Sequence, residues 1–145
     1  MDSLTAEQVI DLLGLQPHPE GGFFTETYRD EAGTGARAHS TAIYFLLPEG
    51  IESAWHRVDA AEVWHWYAGA SLTLSVAKEG GPLDVLTLGQ NLVDGERPQA
   101  VVPPHAWQKA KSLGAWTLVG CTVAPGFEFS SFELAEAGFE PGSGE

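Results

Sequence analysis

The sequence predicts an all-β fold, an antiparallel sandwich or barrel with a short N-terminal helix. Short runs of apolar, β-branched and aromatic residues recur along the chain, and 17 Gly and 9 Pro separate them as turn residues do. A chain of 145 residues with 43% hydrophobic content is long enough for one core and too short for two ordinary domains. We therefore expect one domain over residues 1–135, followed by a flexible tail over residues 136–145 that is rich in Gly, Glu and Pro.

The N-terminal helix is expected over about residues 5–13. Thr5 is placed to cap it, Gln8 to complete a capping box, and Gly14 to end it. Because so short a helix is unstable alone, it must pack against the sheet. The next segment, residues 17–22, combines prolines that resist a helix with glycines that permit left-handed backbone, so we expect a shaped loop near the rim of a binding pocket.

About ten short strands follow, and this number indicates a sandwich or barrel. The turns at residues 68–70 and 79–82 are each predicted to join their flanking strands into a hairpin. The strands are expected at residues 23–29, 40–47, 53–58, 62–67, 71–77, 83–88, 99–102, 106–111, 116–123 and 129–134.

Charge and cysteine content exclude several classes of partner. A net charge of −13 with only seven dispersed basic residues repels phosphate backbones and anionic membranes, so we expect neither nucleic acid nor membrane as a partner. The single cysteine, Cys121, cannot form an internal disulfide, and we expect it to be an inert core thiol. With no recognisable signal peptide or spanning segment, the expected location is cytoplasmic.

The most informative spacing lies between Gly50 and Gly69. His56 follows Gly50 after five residues, and Glu62 follows Val58 after three more. This pattern resembles the first motif of the cupin superfamily, in which two His one residue apart and a Glu point into a barrel. Val58 stands here in the place of the second His.

The second cupin motif aligns on Pro103, with Gln108 in the place of its metal-binding His. The chain resembles the Cupin_5-type branch of the superfamily over nearly its whole length, which implies a double-stranded β-helix, or jelly-roll barrel, around a small-molecule ligand. Cupins similar to this one are commonly dimers, so we expect a homodimer. Further resemblance lies in the stretches at residues 18–24, 28–29, 40–47, 56–58, 62–65 and 125–127.

Strand alternation predicts which side chains share the barrel interior. If Glu62 points inward, Trp64 and Trp66 do so too, because side chains two residues apart share a face. Two indoles beside a carboxylate would form a flat, largely apolar pocket with a charged anchor, suited to a ring-shaped ligand.

The resemblance leaves the cofactor open between none and one divalent metal ion. The matching positions offer His56, Glu62 and Gln108 as ligands, and a neutral amide is a weak replacement for imidazole. Metal affinity should therefore be low unless another residue completes the site.

Without a metal, His56 and Glu62 form a titratable imidazole beside a carboxylate, which is how general acid/base pairs are built. Metal-free epimerases of the cupin superfamily use a His base with a Tyr partner, and Tyr28 or Tyr44 is the candidate for that partner. Arg29 is the candidate anchor for an anionic substrate.

Three functions remain open at this point: an isomerase or epimerase acting on a sugar or similar polar metabolite, a metal-dependent dioxygenase or isomerase, and a non-catalytic binding module. Glu20 and Thr41, which lie in two of the resembling stretches, are further candidate ligand-binding residues.

Overall fold

The computed structural model describes residues 3–30 and 36–141. Within these ranges the chain forms one α-helix, α1 (Ala6–Leu13), two short 3-10 turns (Leu92–Asp94 and Phe129–Ser131) and eleven strands. None of the helices in the described part of the chain has the length and apolarity to cross a membrane. The strands are β1 (Gln16–Pro17), β2 (Phe23–Arg29), β3 (Thr41–Pro48), β4 (His56–Val58), β5 (Ala61–Gly69), β6 (Leu72–Ala77), β7 (Leu83–Leu88), β8 (Gln99–Val102), β9 (Trp107–Ser112), β10 (Trp116–Ala124) and β11 (Phe132–Leu134).

The strands form two antiparallel sheets, with the orders β1-β2-β3-β10-β5-β8 and β11-β4-β9-β6-β7. From β3 onward every connection except β6 to β7 takes the chain from one sheet to the other. The main core lies between the sheets and draws large residues from both, among them Phe45, Trp64, Leu72, Leu74 and Val119. This architecture confirms the prediction of an all-β jelly-roll barrel with a short N-terminal helix.

Helix α1 has the predicted ends. Thr5 and Gln8 form the reciprocal capping box, and Gly14 ends the helix in the left-handed conformation at φ 68°. The helix packs on the outer face of the six-stranded sheet, where Val9 joins a second core cluster with Leu118. The helix therefore covers the sheet and does not contribute to the barrel interior.

One of the two predicted hairpins is wrong. Strands β6 and β7 pair around residues 79–82 as expected, with Ala77 opposite Leu83. The turn at residues 68–70 instead connects β5, between β10 and β8, to β6 in the other sheet. Gly69 makes this change of sheet possible, because its φ is +90° and a Cβ there would lie 2.5 Å from the carbonyl oxygen of Trp116.

Two predicted strands are shorter than expected. The strand expected at residues 53–58 begins only at His56, because the backbone at residue 54 turns from the sheet to the loop before β2, where the amide of Ala54 donates to the carbonyl of Glu20 at 2.7 Å. The strand expected at residues 129–134 is a 3-10 turn followed by β11. Both departures lie beside the cavity described below.

The C-terminal tail is described only as far as residue 141, and residues 142–145 lie outside the described part of the chain. Within the described part, the ring of Phe139 packs against that of Trp107 with centroids 4.7 Å apart. This contact ties the beginning of the tail to the five-stranded sheet.

Candidate active site

The two sheets enclose a cavity of about 50 Å³. Its walls come from β2, β3, β4, β5, β10 and β11, and from the loop that precedes β2. Since one water molecule needs roughly 10–15 Å³ of such volume, the cavity has room for about three to five water-sized groups. It is a site for a small ligand or for the reacting part of a larger one.

His56 lies at the start of β4 with its side chain only 3% exposed. Its Nδ1 is 2.8 Å from the carbonyl oxygen of Ala54 and 2.6 Å from Oε2 of Glu20. A single N–H cannot point at both oxygens, and Glu20 Oε2 has no other polar partner among the described residues. The contact with Glu20 is therefore mainly a charge interaction, with the N–H directed to Ala54.

The environment of His56 favours the imidazolium. Burial opposes the charged form, but the carboxylate of Glu20, with smaller contributions from Glu62 and the Ala54 carbonyl, outweighs burial and raises the pKa of His56 to about 8. A histidine that is protonated at neutral pH thus lies between two buried carboxylates.

Glu20 reaches His56 because the loop before β2 folds inward. The amide of His18 donates to the carbonyl of Gly22 at 2.9 Å, and the amide of Gly21 donates back to the carbonyl of His18 at 2.9 Å. Gly22 has a φ of +80°, and a Cβ there would lie 2.9 Å from the carbonyl oxygen of Leu46. The glycines of this segment are therefore required for the close approach that buries Glu20.

His18 supports Glu20 as a neutral ring. The amide of Glu20 donates to Nδ1 of His18 at 3.1 Å, so Nδ1 is an acceptor and carries no proton. Burial, and the positive charge of His56, lower the pKa of His18, although Glu20 opposes this shift. The 3.5 Å approach of His18 Nδ1 to Glu20 Oε1 is accordingly a dipolar contact and not an ion pair.

Glu62 on β5 is held by a chain of two hydrogen bonds. The indole of Trp64 donates to Oε1 of Gln108 at 2.9 Å, and Nε2 of Gln108 donates to Oε1 of Glu62 at 2.9 Å. Because an indole N–H can only donate, Trp64 fixes the amide orientation and commits its NH₂ group to the carboxylate. Burial raises the pKa of Glu62, the charge of Glu20 adds to this, and His56 opposes it.

Cys121 lines the cavity beside Glu62. Burial, followed by the charges of Glu62 and Glu20, raises the pKa of the Cys121 thiol well above its usual value. The thiol is therefore protonated at neutral pH, and its nucleophilicity is low.

The donor set does not fit a divalent metal ion. The amide oxygen of Gln108 is already bonded to the Trp64 indole, and its NH₂ group faces Glu62. Val58 lines the cavity where the cupin motif has its second His. Among residues 3–30 and 36–141, no three His, Cys, Asp or Glu side chains are placed to hold a metal together.

Three phenylalanines from the segment after β10 form the aromatic side of the cavity. The ring of Phe127 lies 4.9 Å from that of Phe129 and 5.8 Å from that of Phe132, both edge to face. Phe132 also lies 5.5 Å from the ring of His56. Phe129 is 53% exposed, which places it at the mouth.

The phenylalanine segment is anchored by two residues of the predicted site. Thr41 accepts a hydrogen bond from the amide of Phe127 at 2.9 Å, and Arg29 donates to the carbonyl of Phe127 at 3.0 Å. Arg29 also binds both carboxylate oxygens of Glu26, at 3.0 and 2.8 Å. Its guanidinium thus already faces a carboxylate, so its position does not support the expected role as an anchor for an anionic substrate.

Comparison with known families identifies the relationship. The family model described as Cupin superfamily (DUF985), or Cupin_5, matches residues 7–135. The chain belongs to the Cupin_5 family. This confirms the resemblance seen in the sequence motifs.

Solved structures agree with this assignment. The Cupin_5 chain is 40% identical to a protein from Shewanella oneidensis, with a TM-score of 0.87 and coverage of 92% of this chain and 85% of that one. A hypothetical protein from Leishmania major is 30% identical, with a TM-score of 0.85 and coverage of 91% and 88%. A Bacillus subtilis oxalate decarboxylase is only 14% identical, with a TM-score of 0.64 and coverage of 81% of this chain and 29% of that one, so it shows the fold alone. No curated protein matches the chain.

The structure of this Cupin_5 protein brings together only some of the predicted site residues. His56, Glu62, Glu20, Arg29 and Thr41 line the cavity. Gln108 is fully buried behind Glu62, in register with His56 across β4 and β9.

The aromatic candidates lie elsewhere. Trp64 is buried in the main core, and Trp66 packs against the same core while donating to the carbonyl of Ala70, so neither lines the cavity. Tyr28 is 56% exposed. Because Ile43 faces the cavity, Tyr44 faces the opposite side of β3 and lies beneath α1. The positions do not support a stacking platform of two indoles or a tyrosine partner for His56.

Sequence reasoning did not identify His18 or the three phenylalanines as site residues. The order His-Pro-Glu-Gly-Gly was enough to place the loop near the rim, but not to show that Glu20 enters the interior. Phe129 and Phe132 fell in a segment interpreted as one strand, and the turn between them gave no separate signal.

Proposed function

We propose that this Cupin_5 protein is an acid/base enzyme, an isomerase or epimerase that moves a proton on a small polar metabolite. The observation that carries the proposal is the contact of His56 Nδ1 with Glu20 at 2.6 Å inside the cavity between the sheets. The Ala54 carbonyl accepts the Nδ1–H and fixes the orientation of the ring, the charge of Glu20 favours the imidazolium, and Nε2 is left as the atom that exchanges a proton. No described residue hydrogen-bonds to Nε2.

Glu62 is the second proton-transfer group. It lines the same cavity, and its pKa is raised by burial, so it retains a proton to higher pH than an exposed carboxylate. His56 and Glu62 both have raised pKa values, and such a pair can remove a proton from one side of a substrate and return one on the other side. In this scheme His56, which is protonated at neutral pH, is the acid and not the base that the sequence suggested, and the carboxylate of Glu62, which its raised pKa makes more basic than an exposed carboxylate, is the base.

The cavity volume limits the substrate. About 50 Å³ admits only a small molecule, whereas typical ligand pockets measure roughly 300–1,000 Å³. A sugar would have to place its reacting carbon beside His56 and the rest of its ring against the exposed side chain of Phe129. We therefore favour small hydroxy, keto or amino compounds over nucleotide-linked sugars.

Hydrogen–deuterium exchange at carbon tests the proposal even when the product of the reaction is not identified. Pools of small metabolites are incubated with the protein in D₂O, and NMR follows the loss of C–H signals. We expect His56→Asn to slow exchange by at least about 100-fold, the usual size of a general acid/base effect, and Glu20→Gln to slow it less, because the lowered pKa of His56 leaves less imidazolium at neutral pH. His39→Asn is the matched control, because that exposed histidine pairs with Asp30 away from the cavity.

A compound that binds in the cavity but shows no exchange would contradict the enzymatic proposal. The chain would then act as a binding module for that compound. Binding is followed separately, through the amide signals of Phe127 and Ala54.

The homodimer and the cytoplasmic location stay predictions. The sequence places candidate contacts in the N-terminal segment and at residues 65–67. Tyr67 is 48% exposed beside α1, which is compatible with a contact there. Sedimentation velocity at two protein concentrations tests the dimer.

A further inference from the structure

We infer that the cavity selects a small organic cation, an alkylammonium group, over neutral and anionic compounds of the same size. The inference rests on the proposal that this cavity is the active site, and it adds the chemical class of the ligand. It stands on three observations: the balance of charges in the cavity, an unsatisfied carboxylate oxygen, and the aromatic side.

Carboxylates outnumber cations among the lining residues. The lining contributes three carboxylates and two cationic side chains: Glu20, Glu26 and Glu62 against Arg29 and His56. Arg29 is already bound by both oxygens of Glu26. The interior that remains has two carboxylates around one imidazolium. Because the whole chain also carries a net charge of −13, its field concentrates cations and repels anions at the mouth.

One carboxylate oxygen lacks a hydrogen-bond donor. Oε2 of Glu20 is buried, with its side chain 7% exposed; the imidazole of His56 lies 2.6 Å away as an ion-pair partner, but no N–H or O–H among the described residues makes a hydrogen bond of good geometry to it. The neighbouring Nδ1 of His56 has its proton directed to the Ala54 carbonyl. Buried carboxylates are normally satisfied by donors, and an ammonium group presents several. A ligand of this class supplies what the protein does not.

The aromatic side suits the same ligand. The rings of Phe127, Phe129 and Phe132 lie within 6 Å of one another on one side of the cavity, and the carboxylates line the same space. The face of a phenyl ring carries negative potential and attracts a cation within about 6 Å of its centroid. Alkyl groups on the cation pack against the same rings, so apolar contact and charge act on the same ligand.

The test compares three probes with equal numbers of non-hydrogen atoms and a similar branched shape: isopropylammonium, propan-2-ol and acetate. Each is titrated into the ¹⁵N-labelled full chain, and the amide shifts of Phe127 and Ala54 give the affinity. We expect saturable binding of isopropylammonium, binding of propan-2-ol that is at least about tenfold weaker, since a charge-assisted contact is lost, and no saturable binding of acetate.

Variants separate the two parts of the site. Glu20→Gln should weaken isopropylammonium by at least about tenfold while leaving propan-2-ol nearly unchanged. Phe132→Leu should weaken isopropylammonium by about two- to thirtyfold, the range of a cation–π contact. Phe129→Leu repeats this test at an exposed position where folding is not at risk, and Phe139→Leu, whose ring packs on Trp107 outside the cavity, is the matched control.

Acetate binding as tight as that of isopropylammonium, or no saturable binding of the amine, would overturn the cation preference. Those results leave the enzymatic proposal to be decided by deuterium exchange. Conversely, binding of the amine without exchange in any metabolite pool would overturn the enzymatic proposal and support the cation site, so the two failures are distinguishable.

Discussion

Replacing Glu20 by Gln changes the electrostatics of His56 more than any other single substitution at the site. The charge of Glu20 is the largest of the contributions that raise the pKa of His56, and burial, which is larger still, acts against it. With the carboxylate replaced by an amide, burial dominates. We expect the pKa of His56 in Glu20→Gln to fall from about 8 to 6.5 or below.

This change alters how stability depends on pH. In the wild type, the folded protein holds the His56 proton more tightly than the unfolded chain, whose pKa is 6.5. The resulting stabilisation is fully present below pH 6.5 and is lost as the pH rises through about 8. A difference of this size corresponds to about 2 kcal/mol of unfolding free energy. The Glu62 carboxyl, whose pKa is also raised, shifts stability in the same direction at lower pH.

Urea unfolding at pH 6 and pH 9 measures the difference, and NMR titration of the histidine ring signals gives the pKa directly. We expect the wild type to lose about 2 kcal/mol between these pH values through His56, and Glu20→Gln to lose little or none. Glu26→Gln is the control, because it removes a carboxylate from the mouth without touching His56. A His56 pKa that stays near 8 in Glu20→Gln would refute the reasoning.

Three further predictions concern the supports of the site. Gln108→Leu removes the amide that donates to buried Glu62 and accepts from the buried Trp64 indole, so unfolding in urea should show a loss of about 2–3 kcal/mol. An unchanged midpoint would contradict the role of these two bonds. Gly22→Ala should lower the unfolding free energy by at least about 2 kcal/mol, because φ is positive there and a backbone carbonyl crowds the added Cβ. Gly80→Ala, where φ is also positive but the space is open, should cost about 1 kcal/mol. Equal losses in thermal unfolding would argue against the crowding at Gly22. The double variant Val58→His with Gln108→His restores a cupin-type set of metal ligands with His56. Elemental analysis should then find about one equivalent of zinc or nickel per chain, and little in the wild type. Equal metal contents would mean that these two positions do not determine metal binding.

The elements of the fold were predictable because their signals are local. The capping box of Thr5 and Gln8, the glycine that ends α1 and the turn residues between β6 and β7 all act within a few residues of where they stand in the chain. The crossing from β5 to β6 was not predictable, because a short glycine turn serves equally well within one sheet or between two. Packing of Gly69 against Trp116, which is distant in sequence, decides between them.

In the candidate site, too, local signals were predictable from the sequence and contacts between distant segments were not. Motif spacing singled out His56 and Glu62, and both side chains line the cavity. The partner of His56 was not identified, because Glu20 reaches it through a loop whose path depends on contacts with Leu46 and Ala54. Alternation also overstated the role of Trp64, since it shows which face a side chain occupies but not whether a neighbour fills the space before it.

The cavity is closed by both ends of the chain. Glu20 comes from the segment before β2, Phe132 begins the last strand, and both contact His56 on β4. A bound ligand would therefore contact both the segment before β2 and the last strand, and its binding free energy would oppose local unfolding of either segment. Protease cleavage near the N-terminus and near the C-terminus should slow together when the cavity is filled, although more than one hundred residues separate the two segments.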